Sequence, residues 1–302
     1  MKKAETEMYS HNLRTTVFCV LVSIAVLGCG PKQTSTGDTQ GASATGGEIS
    51  IKGSDTMVHV VTAWADAFMK KRSDIKISVT GGGSGTGVAA LLNGTTDVCA
   101  SSRDLSEEEK KAGESQGLKL SVTIVARDAL SIVVHPSNPV NELTLEQIER
   151  IYTGAITNWS EVGGANESIV VTSRESSSGT YMFFLEHVLR KKDYTQNALL
   201  LPATSAIVQS VSDSSSAIGY VGLGYVHEAG AKLKSVGVKA TPDAPAVMPT
   251  TETVLSGAYS ISRPLLLVVA KEATGPVKDF LDFCVSDEGQ AIVEESGYVK
   301  VQ

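Results

Sequence analysis

Three well-separated stretches constrain this chain more than anything else in it. They are Gly53-Ser54-Asp55-Thr56, Gly81-Gly82-Gly83-Ser84-Gly85-Thr86-Gly87 and Arg174-Glu175-Ser176-Ser177-Ser178-Gly179-Thr180. Each stands beside a β-branched run and leads into a helix-like apolar pattern, as in Val60, Val61, Trp64, Ala65 and Phe68 after the first. A strand that turns through Gly, Ser and Thr into a helix leaves backbone N–H groups and hydroxyls at the positive end of the helix dipole. That arrangement favours an anion. Three such turns, the last carrying an arginine, predict a pocket for a tetrahedral oxyanion. Such an ion needs many convergent donors, and arginine supplies a planar fork.

Repeated strand–turn–helix units predict an α/β fold with a mainly parallel sheet. The pattern places strands at 49–52, 76–80, 97–100, 169–172, 218–221 and 265–270. Helices fall at 58–71, 88–92, 144–152, 181–190, 206–212, 277–284 and 289–296, and Ser106-Glu107-Glu108-Glu109 opens another with acids in its first turn. Residues 118–134 are β-rich but broken at Arg127-Asp128, and 228–257 are irregular. The strand around Leu130 and the return near Ser260 read as crossings between two lobes.

The beginning of the chain reads differently. Lys2, Lys3 and Arg14 precede an apolar run from Thr15 to Leu27, which describes a secretory signal peptide over residues 1–28, with Met8 as an alternative start. The run is too short for a comfortable membrane span. Val26-Leu27-Gly28-Cys29 resembles the bacterial lipobox, so Cys29 is the candidate lipidation site. Residues 29–48 then form a Ser/Thr/Gly/Gln tether with almost nothing to bury. The expected layout is anchor, tether, domain, placing the protein in the periplasm or at the cell surface. A net charge of −7 argues against nucleic acid as a partner and means an anion is held by local dipoles, not a global field. Cys99 and Cys284 lie in apolar surroundings, and both a disulfide and two buried thiols remain open.

The loops fail the patterns of nucleotide and hydrolase chemistry. No register of residues 81–87 gives G-x-G-x-x-G, Val88 stands where a phosphate-loop lysine is needed, and the same glycine loop also fails G-x-S-x-G. Histidines 11, 59, 135, 187 and 227 are scattered, with no H-E-x-x-H. No metal, cofactor or catalytic set is read from the sequence, so binding is expected and not catalysis. Arg103, after Ser101-Ser102, is either a second cation for the anion or the partner of Asp104 or a nearby glutamate.

Across residues 49–302 the chain resembles the phosphate-binding proteins that feed ABC-type phosphate importers. The likeness rests on I-K-G-S-D-T-M, T-G-G-G-S-G-T-G, T-D-V-C-A-S-S-R-D-L, I-Y-T-G-A-I-T-N-W, R-E-S-S-S-G-T, A-I-G-Y-V-G-L-G-Y and E-E-S-G-Y-V, in order. It implies a two-lobed type II periplasmic binding protein with two hinge crossings and the ligand in the inter-lobe cleft. Lobe 1 is expected over 49–130 and 262–302, and lobe 2 over 131–261. The implied phosphate ligands are Thr56, Met57, Ser84, Ser102, Arg174, Ser178, Gly179 and Thr180, with Ser54, Asp55 and Arg103 as further candidates. The implied partners are inorganic phosphate and a membrane permease, with the binding protein a lipid-anchored monomer.

One departure stands out. The best-known members carry a carboxylate at the position of Ser102, where it accepts a hydrogen bond from protonated phosphate and rejects sulfate. Here Asp55 or the Ser102 hydroxyl must meet the proton-bearing oxygen, although Asp55 also reads as a helix cap. The alternatives are a binding protein for sulfate or molybdate, or a secreted phosphoester-hydrolysing enzyme.

Overall fold

The computed structural model describes residues 47–301, so the expected signal peptide, Cys29 and nearly all of the tether lie outside the described residues. Strand β1 (Glu48–Gly53) passes through a 3-10 turn (Asp55–Met57) into α1 (Val58–Lys71). Two more such units follow, β2 (Lys76–Thr80) with α2 (Ser84–Leu92), and β3 (Val98–Ser101) with α3 (Glu107–Ser115). The long strand β4 (Ser121–Val134) leads to β5 (Glu142–Thr144), α4 (Leu145–Tyr152), β6 (Val170–Arg174) and α5 (Gly179–His187). Next come β7 (Leu199–Leu201), α6 (Thr204–Ser212), β8 (Ala217–Gly222) and α7 (Leu223–Ala229). Then β9 (Lys234–Ser235), β10 (Gly237–Lys239), α8 (Thr251–Leu255), β11 (Ser262–Val269), α9 (Gly275–Val285) and α10 (Asp287–Glu295) complete the chain.

The main sheet runs β2-β1-β3-β11-β4-β8-β6-β7, with β9 pairing the far end of β4, while β10 and β5 form a separate pair. Its outer strands pair in parallel, β1 with β2 and β3 on one side and β6 with β7 and β8 on the other. The middle does not. Strand β11 is antiparallel to both β3 and β4, and β4 is antiparallel to β8. The sheet is therefore mixed, which corrects the mainly parallel expectation. Two parallel units are joined by a central antiparallel pair because the chain crosses between them once in each direction.

That crossing also divides the core. One apolar cluster holds Ile49, Trp64, Phe68, Ala126 and Leu265, and another holds Ala129, Leu130, Trp159, Phe184, Tyr220 and Ile261. Membership changes between Ala126 and Ala129 on β4, and between Ile261, just before β11, and Leu265 on it. Two lobes follow, with both crossing strands shared. Each tryptophan anchors its own side, Trp64 Nε1 donating to Gly289 O at 2.8 Å and Trp159 Nε1 to Ser216 O at 2.8 Å. A buried indole needs such an acceptor to avoid an unpaired donor.

Strand β4 is unbroken at Arg127-Asp128, against the sequence expectation. Asp128 is registered opposite Arg263 of β11, and their 2.8 Å ion pair lets a carboxylate occupy a fully buried strand position. The stretch expected to be irregular contains β9, β10 and α8, all too short for periodicity to reveal. Cys99 and Cys284 are both free and buried, in different apolar clusters. Among the described residues no helix is long and apolar enough to cross a membrane.

Candidate anion-binding site

The three small-polar loops meet where the lobes meet. The first is set by Gly53, whose φ of +146° carries the chain so close to β3 that an added Cβ would lie 2.1 Å from Ala100 O. The turn that follows buries Thr56 and Met57 at the start of α1. Here the Met57 N–H, expected to be available to a ligand, donates to Ser54 O at 3.1 Å. The Ser54 hydroxyl is buried with no partner.

The second loop ends at Gly83, with a φ of +104°, and puts Ser84 into the first turn of α2. Ser84 Oγ accepts the Ser102 N–H at 3.1 Å and lies 3.4 Å from the Ser102 hydroxyl. The third loop ends at Ser178, which caps α5 by accepting from the N–H groups of Thr180 and Tyr181. Gly179 then faces Ser84 so closely that a Cβ would stand 2.2 Å from Ser84 Oγ and 2.9 Å from Ser102 Oγ. Only glycine fits there.

Hydroxyls from opposite lobes touch directly, Thr56 Oγ1 lying 2.9 Å from Thr180 Oγ1. Backbone contacts close the same seam: Gly85 N–H donates to Ser177 O at 3.0 Å. The structure therefore brings together Thr56, Ser84, Ser102, Ser178, Gly179 and Thr180, with the first loop's Asp55 beside Arg174. All but Asp55, which is partly exposed, are buried.

The arginines divide in function. The buried Arg174 fork is taken up by its own lobe, with Nε on Leu201 O (3.2 Å), Nη2 on Pro202 O (2.8 Å) and Nη1 on Thr204 Oγ1 (2.6 Å). Asp55 Oδ2 reaches across to Arg174 Nη1 at 3.2 Å and accepts the Thr204 N–H at 2.7 Å. Burial pulls the Arg174 pKa down, and the Asp55 charge opposes that shift. Arg103 turns to Glu109, with paired bonds of 2.8 and 2.7 Å, beside a cavity of about 400 Å³ between residues 103–109 and 182–187. Its Nε has no partner.

Sequence reasoning missed Arg263 and Asp128. Both side chains are fully buried, and Arg263 Nη1 donates to Thr180 Oγ1 at 3.0 Å. Burial raises the Asp128 pKa, opposed by the Arg263 charge. The available signal was a lone arginine opening the apolar run Leu265–Val269, and a charged pair interrupting the β-rich run at Arg127-Asp128. Tyr298 was also passed over; its hydroxyl donates to Thr56 O at 2.6 Å and pins the first loop.

Chemically this is a nest of hydroxyls at three helix N-termini, flanked by two arginines that each carry a carboxylate. Its four charged groups sum to zero, so an anion here is held by directed hydrogen bonds and dipoles. Among the described residues no group of three or more His, Cys, Asp or Glu side chains could hold a metal ion.

Known proteins share this arrangement of elements. The PBP superfamily domain matches residues 38–288. The phosphate-binding protein PstS of Pseudomonas aeruginosa strain PAO1 is 33% identical over 277 residues, covering 86% of this chain and 85% of its own. The chain belongs to the phosphate-binding proteins of the PBP superfamily. A second family member, PstS of Staphylococcus epidermidis strain RP62A, is 34% identical over 291 residues, covering 92% of this chain and 88% of its own. A substrate-binding protein of a phosphate ABC transporter from Clostridium perfringens, solved with bound phosphate, is 38% identical with a TM-score of 0.77. It covers 84% of this chain and 100% of its own. The α/β, two-lobed architecture of this chain is thus the architecture of the family.

Proposed function

We propose that this protein binds inorganic phosphate outside the cytoplasmic membrane and delivers it to an ABC-type permease. The observation that carries the reading is the meeting of Thr56, Ser84 and Thr180 hydroxyls from three helix N-termini, with Ser102 beside Ser84, across one seam. Membership of the phosphate-binding family supports it. In this reading phosphate replaces the hydroxyl–hydroxyl contacts, accepting from Thr56, Ser84, Ser102, Ser178, Thr180 and the Gly179 N–H. The Met57 N–H joins them by leaving Ser54, and Arg174 closes the rim.

Lobe 1 is residues 49–130 and 262–302 and lobe 2 residues 131–261. Their closure is driven by contacts that the anion makes with both lobes at once. The protein acts as a monomer, held to the membrane by a lipid on Cys29 and reaching the permease on the tether that follows. We read it as a binding protein and not an enzyme, because among the described residues these hydroxyls bond one another, backbone N–H groups and Arg263, and no carboxylate or histidine.

Isothermal titration with phosphate, sulfate and molybdate tests the reading, alongside hydrolysis of a chromogenic phosphoester. Tight binding of phosphate over the other two, without turnover, is the expected result. Turnover that survives rigorous purification overturns the binding-protein reading, and equal affinity for sulfate overturns the choice of phosphate.

A further inference from the structure

Arg263 occupies a place no other cation of the site shares. It sits on β11 where the chain crosses between lobes, opposite Asp128 on the other crossing strand. Nε and Nη2 both donate to Asp128 Oδ2, at 3.0 and 2.8 Å, and Asp128 Oδ1 accepts the Leu223 N–H at 2.8 Å. The Phe183 ring lies 5.7 Å from the guanidinium carbon. The fork is thus fixed in its plane by a carboxylate on one edge and an aromatic ring beside it.

The remaining nitrogen, Nη1, points the other way. It donates to Thr180 Oγ1 at 3.0 Å, and that same oxygen lies 2.9 Å from Thr56 Oγ1. A neutral hydroxyl is a weak partner for a buried guanidinium. A bond between ions is shorter and roughly twice as strong. Arg174 is held differently: each of its nitrogens bonds its own lobe, at Leu201, Pro202 and Thr204, and Nη1 also meets Asp55.

We propose that Arg263 is a second cation, beside Arg174, that meets the bound anion, its Nη1 hydrogen bond passing from Thr180 Oγ1 to an anion oxygen when the site fills. This rests on the phosphate reading above. Asp128 serves as counter-charge in the empty state, where an unpaired buried guanidinium would be strongly unfavourable. Because Asp128 takes only the Nε and Nη2 side of the fork, nothing has to break there when Nη1 changes partner. Thr180, relieved of Arg263, is then free to donate its own proton to the same anion.

Position adds a second consequence. Thr56 belongs to one lobe and Thr180 to the other, while Arg263 stands on the strands common to both. The anion is therefore gripped from each lobe and from the hinge together.

The test is titration of the full chain with inorganic phosphate, comparing the parent with Arg263→Lys. Lysine keeps a positive charge for Asp128 but is a point charge, without the planar fork that leaves Nε and Nη2 on Asp128 while Nη1 turns to the anion. The expected result is a dissociation constant raised at least about tenfold for a charge-assisted bond, with the cooperative unfolding transition retained. A parent that takes up no phosphate overturns the functional reading and this inference together. A parent that binds, with a folded Arg263→Lys that binds equally well, overturns this inference alone. Should Arg263→Lys not fold, the phosphate-bound structure of the parent decides. A phosphate oxygen within about 3.2 Å of Arg263 Nη1 supports the proposal, and Nη1 still on Thr180 with no anion oxygen in reach overturns it.

Discussion

Asp55 Oδ2 stands 3.2 Å from Arg174 Nη1, joining the first small-polar loop to the third across the seam between the lobes. The same carboxylate oxygen caps α6 by accepting the Thr204 N–H at 2.7 Å. Asp55 was a candidate for the acceptor that distinguishes protonated phosphate from sulfate. Its Oδ2 joins the lobes, and in the proposed reading this latch stabilises closure around any anion that fits. Closed-state contacts of this kind raise affinity without choosing the ligand, because discrimination requires a different interaction with each competitor.

Replacing Asp55 by Asn should therefore weaken phosphate and sulfate binding in proportion. The pair is partly open to solvent, with Asp55 18% exposed, and an effect of about 1 kcal/mol or some fivefold in the dissociation constant is expected. Calorimetry with both anions reads it. A changed phosphate-to-sulfate ratio would show that Asp55 faces the ligand after all.

Arg174→Ala should cost more. The side chain is 2% exposed and satisfies two carbonyls and a hydroxyl, besides meeting Asp55. Removing it leaves the Leu201–Thr204 segment unpaired and the Asp55 charge without its counterpart, at about 2–4 kcal/mol of stability. Phosphate affinity should fall by roughly 10- to 100-fold in a protein that still unfolds cooperatively. An unchanged dissociation constant would remove Arg174 from the site.

Most of the architecture was legible because its units are local. The bounds of α1 and β2 follow from apolar spacing and from the Gly/Ser/Thr turns that separate them. The Ser106 start of α3 was legible too, since its capping box with Glu109 is a sequence pattern. The loops of the candidate site could be read for the same reason: each is a contiguous run. Asp128 and Arg263 could not, because they are 135 residues apart and become a pair only through the register of β4 on β11. The mixed character of the sheet was hidden by the same cause, since strand direction depends on the order of crossing and not on composition. The Asp55–Arg174 pair was half visible: both residues were singled out, but nothing local says that they face one another.

Gly179→Ala offers a test of the seam itself. The added methyl would lie 2.2 Å from Ser84 Oγ, 2.8 Å from Ser84 Cβ and 2.9 Å from Ser102 Oγ, groups on the opposite lobe. Each lobe retains its own core, so the thermal midpoint should move little. The closed arrangement cannot form without displacing Ser84, and phosphate binding should fall below detection by calorimetry. Wild-type affinity in this variant would mean that the ligand-bound lobes do not approach as closely as they do here.

Alkaline pH should expose a weakness in the core. Burial pushes the Cys99 thiol up to about 12 and the Cys284 thiol well above its ordinary value. The buried hydroxyls of Tyr152, Tyr220 and Tyr298 are shifted upward by the same cause. In the unfolded chain these thiols ionise near pH 9 and the phenols near pH 10. Above pH 9 the native state therefore holds protons that the unfolded state has lost, and stability falls as pH rises. The urea midpoint should be flat from pH 7 to 8.5 and decline steadily from 9 to 11. In Cys99→Ala that decline should be shallower, because Cys284 alone then supplies a buried thiol, while the starting midpoint is lower because a buried side chain is shortened. Peptide mapping after treatment with a thiol reagent at pH 8 should find Cys99 and Cys284 unlabelled in the native protein and labelled in urea. Rapid native labelling of Cys99 would contradict its burial beneath α2.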